Sequence, residues 1–513
     1  MTKPDDVKER AQAALEEILA LRKDVAREGR VVFRAWRAQI GRAGFAASAL
    51  NLAHYLALRR HDLRPLQRRL MALGISSLGR LEGRVLVSLD TVTIALAALA
   101  RRTVAVPASA AERQFFRGEA RLAANAAAVF GPAHRGRAGR IMVTLATESA
   151  DDPAIVRDLA ERGADAVRIN CAHDGPQEWQ RMIANVRAVE RTVGRRLPVL
   201  MDIGGPKVRT GRVLTPPDRS RLHIGDLLFL AREIVPQFAD LPFQVTCSPP
   251  EILDRIKVGD EASLDDGKLQ GPVIGEAHGG FLVRIERGKL AGLKLRPEKG
   301  LNFPSTDLGL DPLTAKDKTD LAFIVAHADL IGHSFVQSAA HVAALQAELA
   351  RFGPVGQRIG IVGKIETPTA VKNLPEIIVQ AAGHQPFAVM IARGDLAVEM
   401  GFERVAEMQE EIMWLCEAAH VPVIWATQVL EELVKKGLPS RGEMTDAAMA
   451  ARAECVLLNK GPNVGAAVGV LDRLLRRMGE HQVKKTPTLR ALNAWSSSGP
   501  AGRPPPAKGA APP

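Results

Sequence analysis

From residue 140 onward, short apolar segments alternate with segments of helical periodicity, and this pattern predicts an α/β fold. In most of the intervals between them, apolar residues recur three and four positions apart, as on one face of a helix. The short apolar segments lie at residues 140–146, 164–170, 197–203, 328–335, 358–366, 387–395, 421–428 and 454–461. Eight strands alternating with helices are the number that closes a (β/α)8 barrel, or TIM barrel.

Polar residues stand at the C-terminal ends of several predicted strands. They are Arg168, Asn170, Asp202, Ser334, Lys364, Glu366, Asp395 and Thr427. In (β/α)8 barrels the catalytic residues lie at this end of the strands. These side chains are therefore the first candidates for chemistry.

The same patterns divide the chain into an N-terminal helical domain, a first part of the barrel, an inserted β-rich lid domain, a second part of the barrel and a disordered tail. Their bounds are residues 1–138, 139–211, 212–298, 299–480 and 481–513, in that order. In the helical part, Ser109 and Glu112 form a capping box that predicts the start of a helix. The insert shows alternating segments and turn signals, and the tail is of low complexity.

The composition is that of a globular protein, with 46% hydrophobic and 25% charged residues. The N-terminus lacks the apolar core of a signal peptide. The most apolar segments, near residues 43–58 and 85–100, are interrupted by polar residues and are too short to span a bilayer. We therefore expect a cytoplasmic protein without membrane contact. Four widely spaced cysteines show no metal-ligand spacing and predict reduced, packed thiols.

The net charge of +12 is unevenly distributed. Residues 1–140 carry 25 Lys and Arg against 12 Asp and Glu, residues 141–480 carry 39 against 45, and the rest carry five against none. Basic ends can indicate a nucleic acid or an acidic partner. No helix-turn-helix, zinc-finger or RNA-binding signature accompanies them, so an arginine-rich solvated helix surface is the favoured reading and no nucleic acid is expected.

The segment GKIE brings a lysine and a carboxylate to one strand end. Lys364 and Glu366 are two residues apart on a strand and so point to the same side. Together with Asp395 they would place two carboxylates and an ammonium group on one rim. Carboxylate oxygens suit Mg²⁺, and a lysine beside them suits a transferring phosphoryl group. An ordinary Lys–Glu ion pair would give the same spacing.

Other rim residues favour an anionic ligand less strongly. Gly394 in ARGD lets the backbone approach a ligand, and guanidinium groups such as those of Arg168 and Arg209 bind phosphate well. Each arginine alone is more often a surface or pairing residue. Thr427 could be a plain strand residue, and His173 a loop histidine.

The segment LMDIGGPKVRTG places Lys207 and Arg209 behind a tight turn that follows Asp202. Burying like charges is costly unless an anion or a paired acid offsets them. Either this turn holds a strongly anionic ligand, or Lys207 pairs with one of the nearby acids.

Taken together, the motifs resemble the pyruvate kinase family over about residues 140–475. They are RINCAHDG, LMDIGGPKVRTG, EKGLNFPSTDLGL with AKDKTDL, SFVQSAAHV, GKIET, IARGDLAVEM and ATQVLEELVKKGLPSRGEMTDAA, and they follow the order and spacing of that family. The resemblance implies transfer of a phosphoryl group from phosphoenolpyruvate to ADP, giving pyruvate and ATP. It also implies a Mg²⁺ (or Mn²⁺) cofactor, and we expect a homo-oligomer.

The resemblance assigns a role to each matching residue. Lys364 resembles the lysine that stabilises the phosphoryl group and the enolate, and Glu366 and Asp395 resemble the ligands of the divalent ion. The substrate contacts implied in the same way are amides of Gly394 and Asp395 for the carboxylate, Arg168 for the transferring phosphate, Asn170 and His173 near the nucleotide, and Thr427 near the face where carbon is protonated. Arg209 resembles the active-site arginine of the family's RTG motif.

One departure concerns the monovalent cation. Most family members bind K⁺ through Asn, Ser, Asp and Thr, but here the serine and threonine positions are Ala172 and Ile203. Lys207 stands where the family usually has glutamate. Members with lysine at this position tend not to need K⁺, so we expect K⁺ independence, with the Lys207 ammonium near Asp202 in place of the ion.

Other departures leave alternatives open. The family's Ser-Gly-Glu-Thr stretch after the last strand is replaced by residues 459–462, Asn-Lys-Gly-Pro, which favours a non-catalytic sensor of phosphoenolpyruvate or nucleotide. There is also no room for the family's C-terminal effector domain, so regulation through it is not expected. A different barrel enzyme acting on pyruvate or phosphoenolpyruvate, such as an aldolase or lyase, is a third reading that the lid argues against.

Overall fold

A computed structural model describes residues 4–105, 112–134, 136–235, 241–304 and 306–487. Eight parallel strands close into a barrel, which confirms the predicted fold class. The barrel strands are β1 (Arg140–Thr144), β2 (Ala166–Asn170), β3 (Val199–Asp202), β14 (Leu330–His333), β15 (Gly360–Ile365), β16 (Phe387–Ala392), β17 (Val423–Ala426) and β18 (Cys455–Leu458). Strand β1 pairs with β18, with Ile141 opposite Val456, and this pairing closes the ring.

The parallel register brings the strand ends to one level. Asn170 lies opposite Asp202, and Asp202 lies opposite Gly332. The strands are buried along almost their whole length, because helices cover their outer face. These helices are α7 (Pro153–Arg162), α8 (Pro176–Val193), α9 (Ala315–His327), α10 (Ala339–Ala350), α11 (Gly353–Arg358), α12 (Pro368–Lys372), α13 (Leu374–Ala382), α14 (Arg393–Met400), α15 (Phe402–Ala418), α16 (Glu431–Lys436), α17 (Arg441–Ala450) and α18 (Val464–Gly479).

The N-terminal extension is helical, as its periodicity predicts. It contains α1 (Pro4–Trp36), α2 (Ala43–Leu58), α3 (Arg64–Ala72), α4 (Val85–Leu99), α5 (Glu112–Phe115) and α6 (Arg117–Phe130). Helix α6 ends directly before Gly131, whose φ of +80° suits glycine. Ser109 of the predicted capping box lies outside the described residues. The long helix α1 packs against α2 and α4.

Helix α6 closes the end of the barrel at which the strands begin. Its buried residues Ala126, Val129 and Phe130 share an apolar cluster with barrel residues such as Met142 and Leu330. Phe130 is fully buried. A second cluster joins apolar residues of α1, α2 and α4 to those of the barrel helices. The extension therefore belongs to the same core as the barrel.

The segment between β3 and β14 forms a separate β structure. Its strands are β4 (Arg209–Leu214), β5 (Arg221–Leu222), β6 (Leu227–Ala231), β7 (Gln244–Ser248), β8 (Glu261–Leu264), β9 (Leu269–Ala277), β10 (Gly280–Arg284), β11 (Arg287–Gly288), β12 (Leu293–Lys294) and β13 (Leu301–Asn302). Residues such as Leu228, Val245 and Val283 form an apolar core distinct from that of the barrel. The segment is thus a β-rich insert packed around its own core.

After α18, β19 (Gln482–Val483) and β20 (Thr486–Pro487) form a short antiparallel hairpin.

All four cysteines are buried free thiols. Within the described part of the chain, no helix is both long and apolar enough to cross a membrane.

Candidate active site

Lys364 lies at the C-terminal end of β15, where its ammonium group is held by three oxygen-bearing side chains. Its Nζ is 2.8 Å from Ser334 Oγ, 3.1 Å from Glu366 Oε1 and 3.7 Å from Asp202 Oδ2. Burial lowers the pKa of Lys364, but the carboxylates of Glu366 and Asp202 outweigh this effect and the net shift is upward. The site therefore presents a fixed, charged ammonium group.

Glu366 follows Lys364 on the rim and is almost fully buried. The backbone N–H of Phe335 donates a hydrogen bond of 2.6 Å to Glu366 Oε2. Phe335 has a φ of +55°, which is unfavourable for a bulky residue and is a mark of functional sites. Burial raises the pKa of Glu366, Lys364 lowers it, and the nearby Asp395 raises it further. An acid whose pKa a neighbouring carboxylate raises in this way favours a cation beside it.

Asp202 connects Lys364 with Arg168 across the rim. Arg168 Nε donates to Asp202 Oδ2 at 2.8 Å, and Arg168 Nη1 donates to Thr144 Oγ1 at 3.1 Å. Asp202 Oδ1 is buried and has no hydrogen-bond partner among the described residues. A Cβ at Gly332 would lie 1.9 Å from this oxygen, so only glycine fits beside it. The buried carboxylate thus fixes both cations at the barrel mouth.

Lys207 lies in a different place from the one that the sequence suggested. We expected its ammonium group near Asp202, but Nζ is 2.7 Å from Asp395 Oδ1 and 3.6 Å from Asp266 Oδ1. Asp266 belongs to the turn of the insert, so Lys207 links the insert to the barrel rim. Asp202 instead pairs through Oδ2 with the arginine and lysine described above. Burial lowers the pKa of Lys207, but the carboxylates of Asp395, Asp266 and Glu366 together outweigh this effect, so the net shift is upward and the lysine stays charged.

Gly394 and Thr427 meet at the ends of β16 and β17. The backbone N–H of Gly394 donates a hydrogen bond of 2.8 Å to Thr427 Oγ1. Thr427 has a φ of +62°, although a β-branched residue is strained in the left-handed region. Arg393, which the sequence motif contained but which we did not single out, supports this corner. Its guanidinium group pairs with Asp446 and donates to the backbone oxygen of Thr427 at 2.6 Å.

Asn170, His173 and Arg209 lie around the mouth between β2 and the insert. Asn170 Oδ1 accepts a hydrogen bond of 3.1 Å from the N–H of Ala172, and Arg209 Nη1 donates to Glu298 O at 3.2 Å. Burial lowers the pKa of His173, and the cation of Lys460 lowers it further. The charge of Lys460 therefore acts on a residue assigned to the nucleotide by resemblance.

Two cavities adjoin this rim. One of about 730 Å³ lies between the ends of β1 and β18 and is lined by residues that include Thr147, Asp152 and Lys460. The other, of about 320 Å³, lies between the barrel and the insert and is lined by Lys207, Phe335 and Glu399 among others. The rim thus has room for ligands on both sides of the Lys364 cluster.

The structure brings most predicted site residues to one rim, where direct contacts join them in separate groups. Direct contacts join Arg168, Asp202, Lys364 and Glu366, and a second set joins Lys207 to Asp395 and Gly394 to Thr427. The sequence reasoning missed Asp266 and Glu399. Asp266 was visible as part of the DDG turn, but nothing in the sequence indicated that this turn contacts Lys207.

Asn302 Nδ2 donates a hydrogen bond of 2.7 Å to Glu399 Oε1 and so connects the insert to α14. Burial raises the pKa of Glu399 to about 7, and the Asp395 carboxylate contributes to the rise.

The barrel agrees with a known family of enzymes. The family model described as pyruvate kinase, barrel domain, matches residues 136–466. The chain belongs to the pyruvate kinase family. A pyruvate kinase of Methylorubrum extorquens is 31% identical over 399 residues, which cover 71% of this chain and 79% of that protein. A pyruvate kinase of Agrobacterium vitis is 31% identical over 69% of this chain and 72% of its own length. A pyruvate kinase of Aeropyrum pernix is 33% identical over 60% of this chain and 62% of its own length.

These matches confirm the predicted family and the prediction that the chain is a pyruvate kinase-type phosphotransferase. Pyruvate kinases generally use Mg²⁺ and bind phosphoenolpyruvate and ADP or ATP. Carboxylates suit this ion, and Glu366 and Asp395 offer two. Among the described residues, no group of three or more His, Cys, Asp or Glu is placed to hold a metal. Two protein carboxylates, with the remaining positions left to water and substrate, match the way Mg²⁺ is bound beside phosphate groups.

Proposed function

We propose that this pyruvate kinase family member transfers the phosphoryl group of phosphoenolpyruvate to ADP and releases pyruvate and ATP. The observation that carries the proposal is the Lys364 cluster. An ammonium group lies 3.1 Å from Glu366 and 3.7 Å from Asp202, at the rim where barrel enzymes carry their chemistry. A fixed cation is the group needed to stabilise charge as the phosphoryl group moves.

In the proposed reaction, a β-phosphate oxygen of ADP attacks phosphorus while the bond from phosphorus to the enol oxygen breaks. Arg168 and Lys364 face the moving phosphoryl group, and Lys364 then stabilises the enolate oxygen. The enolate takes a proton at carbon and becomes pyruvate. Thr427 and the amide of Gly394 lie side by side at the ends of β16 and β17, next to the strand that carries Lys364, which supports their role in holding the carboxylate and the protonated face.

We assign the divalent ion to Glu366 and Asp395. Mg²⁺ or Mn²⁺ bound by these carboxylates would neutralise phosphate charge and orient the phosphoryl group. Asn170, His173 and Arg209 surround the mouth next to the cleft that Lys460 lines, so we assign the nucleotide to that side. We assign Arg209 to its phosphates or to the transferring group.

We further propose that turnover does not require K⁺. The supporting observation is that Lys207 places one fixed positive charge 2.7 Å from Asp395, in a rim where two of the four expected K⁺ ligands are replaced by Ala172 and Ile203, while Asn170 and Asp202 remain. The lysine thus acts from the side of the metal carboxylates, and not beside Asp202 as we first expected. A compact ammonium charge at this position would help to hold the anionic substrates.

The test is pyruvate formation from phosphoenolpyruvate and ADP with Mg²⁺, in K⁺-free buffer and again with K⁺ added. We expect similar turnover in both buffers, and a loss of about a thousandfold in the Lys364→Met variant. Steep dependence on K⁺ would contradict the role of Lys207 but not the activity.

The replaced loop at residues 459–462 favours one alternative, a sensor that binds the same ligands without chemistry. Lys460 in this loop lies near His173 and lines the cleft of about 730 Å³. Binding of phosphoenolpyruvate without turnover in either buffer would move the proposal to this alternative.

A further inference from the structure

Two adjacent cavities lie at the end of the barrel opposite the Lys364 cluster. One, of about 430 Å³, is lined by Arg140 and Glu454. Arg140 is the first residue of β1, and Glu454 directly precedes β18. The other, of about 570 Å³, is lined by Arg84 and Phe116 of the helical extension. Glu119, Glu417, Val483 and Lys484 line both cavities. Neither cavity has a part in the proposed reaction.

Much of the wall of the first cavity is small and apolar. Leu122, Ala126 and Leu475 contribute hydrocarbon, and Gly479 leaves the wall open, since a Cβ built there would meet nothing within 4 Å. Such a surface favours an apolar group of a ligand over water.

The cations of the first cavity are already engaged by protein groups. Their partners are Asp165 for Arg137, Ala138 O for Arg140, Glu410 for Arg452, Asp472 for Arg476 and Glu454 for Lys484. An anionic ligand would have to compete with these partners. The cavity is therefore poorly suited to phosphates or carboxylates.

Glu417, near the end of α15, differs from its neighbours. Its carboxylate forms no hydrogen bond or ion pair with any described residue, although it lines both cavities. By contrast, Glu119 pairs with Arg84, and Glu454 pairs with Lys484. A mostly buried carboxylate without a partner is costly and gains most from a cationic donor.

The wall beside Glu417 already accommodates a cation. The guanidinium carbon of Arg84 lies 4.2 Å from the ring centre of Phe115 and 5.7 Å from that of Phe116. Cations bind favourably to aromatic faces in this way. Positive charge next to hydrocarbon is therefore stable in this part of the molecule.

We propose that the paired cavities bind a small aliphatic amine, whose ammonium group pairs with the Glu417 carboxylate and whose hydrocarbon part contacts Leu122 and Leu475. The residues that we assign to the proposed reaction lie at the opposite, C-terminal end of the barrel strands. Binding here is consequently independent of whether the rim catalyses the proposed reaction.

The environment of Glu417 gives the binding a pH dependence. Burial raises its pKa to about 7, opposed by Lys484. The charged groups that face it are Lys484 and Lys485 on the hairpin, Glu82 before α4, Glu454 before β18 and Glu119 on α6. Below this pKa the carboxyl group is protonated and must lose its proton to pair with an ammonium ion. Affinity for an amine therefore rises with pH through this range.

The probe is cyclohexylamine, with cyclohexanol as the neutral control of the same shape. Titration calorimetry on the full chain should detect the amine and not the alcohol, with affinity increasing from about pH 6 to about pH 8. Glu417→Gln should weaken amine binding at least tenfold. Glu407→Gln, an exposed change on the same helix, should not alter it.

A second variant tests the location without removing the charge. Gly479→Leu places a bulky side chain in the cavity wall where the added Cβ has free space, so it should fold normally and weaken binding. The proposal is overturned if the wild type does not bind the amine, if amine and alcohol bind equally, or if neither Glu417→Gln nor Gly479→Leu weakens binding.

Discussion

Lys207 carries one positive charge into the carboxylate cluster that we assign to the divalent ion. Its Nζ is 2.7 Å from Asp395 Oδ1, so a metal ion that binds Asp395 competes with the ammonium group for the same carboxylate. The charge that favours anionic substrates therefore weakens metal binding in their absence. This balance is a property of the residue and can be measured without turnover.

We predict that Lys207→Met binds Mn²⁺ about tenfold more tightly than the wild type in the absence of substrates, because one nearby positive charge is removed. The loss of free Mn²⁺ signal in electron paramagnetic resonance measures this affinity. Lys299→Met is the matched control, since it removes the same charge from a lysine that lies 3.6 Å from Asp265 instead. Equal or weaker Mn²⁺ binding in Lys207→Met would contradict the competition.

Glu399 gives a second prediction at the scale of one residue. Its pKa is raised from 4.5 to about 7, chiefly by burial, so the native state holds a proton that the unfolded state has lost between these values. Stability contributed by this group is therefore present at low pH and declines as pH rises through the window. In Glu399→Gln the amide oxygen can still accept from Asn302, and the decline should be smaller by about 1–3 kcal/mol.

Urea unfolding at about pH 5 and about pH 7 measures that difference. Glu403→Gln, an exposed change on the neighbouring helix, serves as the control and should keep the wild-type pH dependence. Parallel pH curves for Glu399→Gln and the wild type would show that Glu399 ionises in the native protein as it does in the unfolded chain.

The positions of charged side chains were only partly predictable from sequence. Lys364 and Glu366 lie two apart on a strand, so their common direction follows from strand geometry, and the structure places them 3.1 Å apart. The partner of Lys207 depends on how the insert folds over the rim, which no local spacing specifies. The sequence therefore predicted correctly that Lys207 has an acidic neighbour. It indicated Asp202, whereas in the structure the acid that pairs with Lys207 is Asp395.

At the scale of elements, all eight barrel strands lie within the segments that the apolar pattern predicted, for example Gly360–Ile365 within 358–366. This succeeded because each strand is a short continuous apolar segment between helical ones. The insert was harder to predict in detail, since several of its strands have only two residues and their pairing is set by tertiary contacts. The domain bounds assigned from sequence remain a prediction.

Helix α6 supports an element-scale prediction because it plugs the barrel. Phe130 is fully buried against the barrel interior, so Phe130→Ala should lower the free energy of unfolding by about 3–5 kcal/mol. Denaturant unfolding followed by far-UV circular dichroism measures the loss. Phe116→Ala, at a side chain that is 44% exposed, should cost much less. Similar losses in both variants would mean that α6 does not stabilise the barrel through Phe130.

At the scale of the whole molecule, polar contacts reinforce the common core of the helical extension and the barrel. Asn51 Nδ2 of α2 donates to Ala418 O at 2.8 Å, and His420 Nδ1 is 2.9 Å from Ser48 Oγ. The hairpin adds ion pairs from Lys484 to Glu454 and from Lys485 to Glu82. Among the described residues, the insert packs around an apolar cluster of its own, separate from the core that the extension and the barrel share.

This arrangement predicts which parts of the chain open together. Native-state hydrogen exchange should show α1, α2 and α4 exchanging with the barrel strands in one global unfolding, because they share a core. The strands β6, β7, β9 and β10 should exchange earlier, through opening of the insert alone. Mass spectrometry of peptides across increasing urea measures both. Exchange of α1 and α2 well before the barrel would show instead that the helical extension is an independently unfolding unit, joined to the barrel by weaker contacts than its shared core implies.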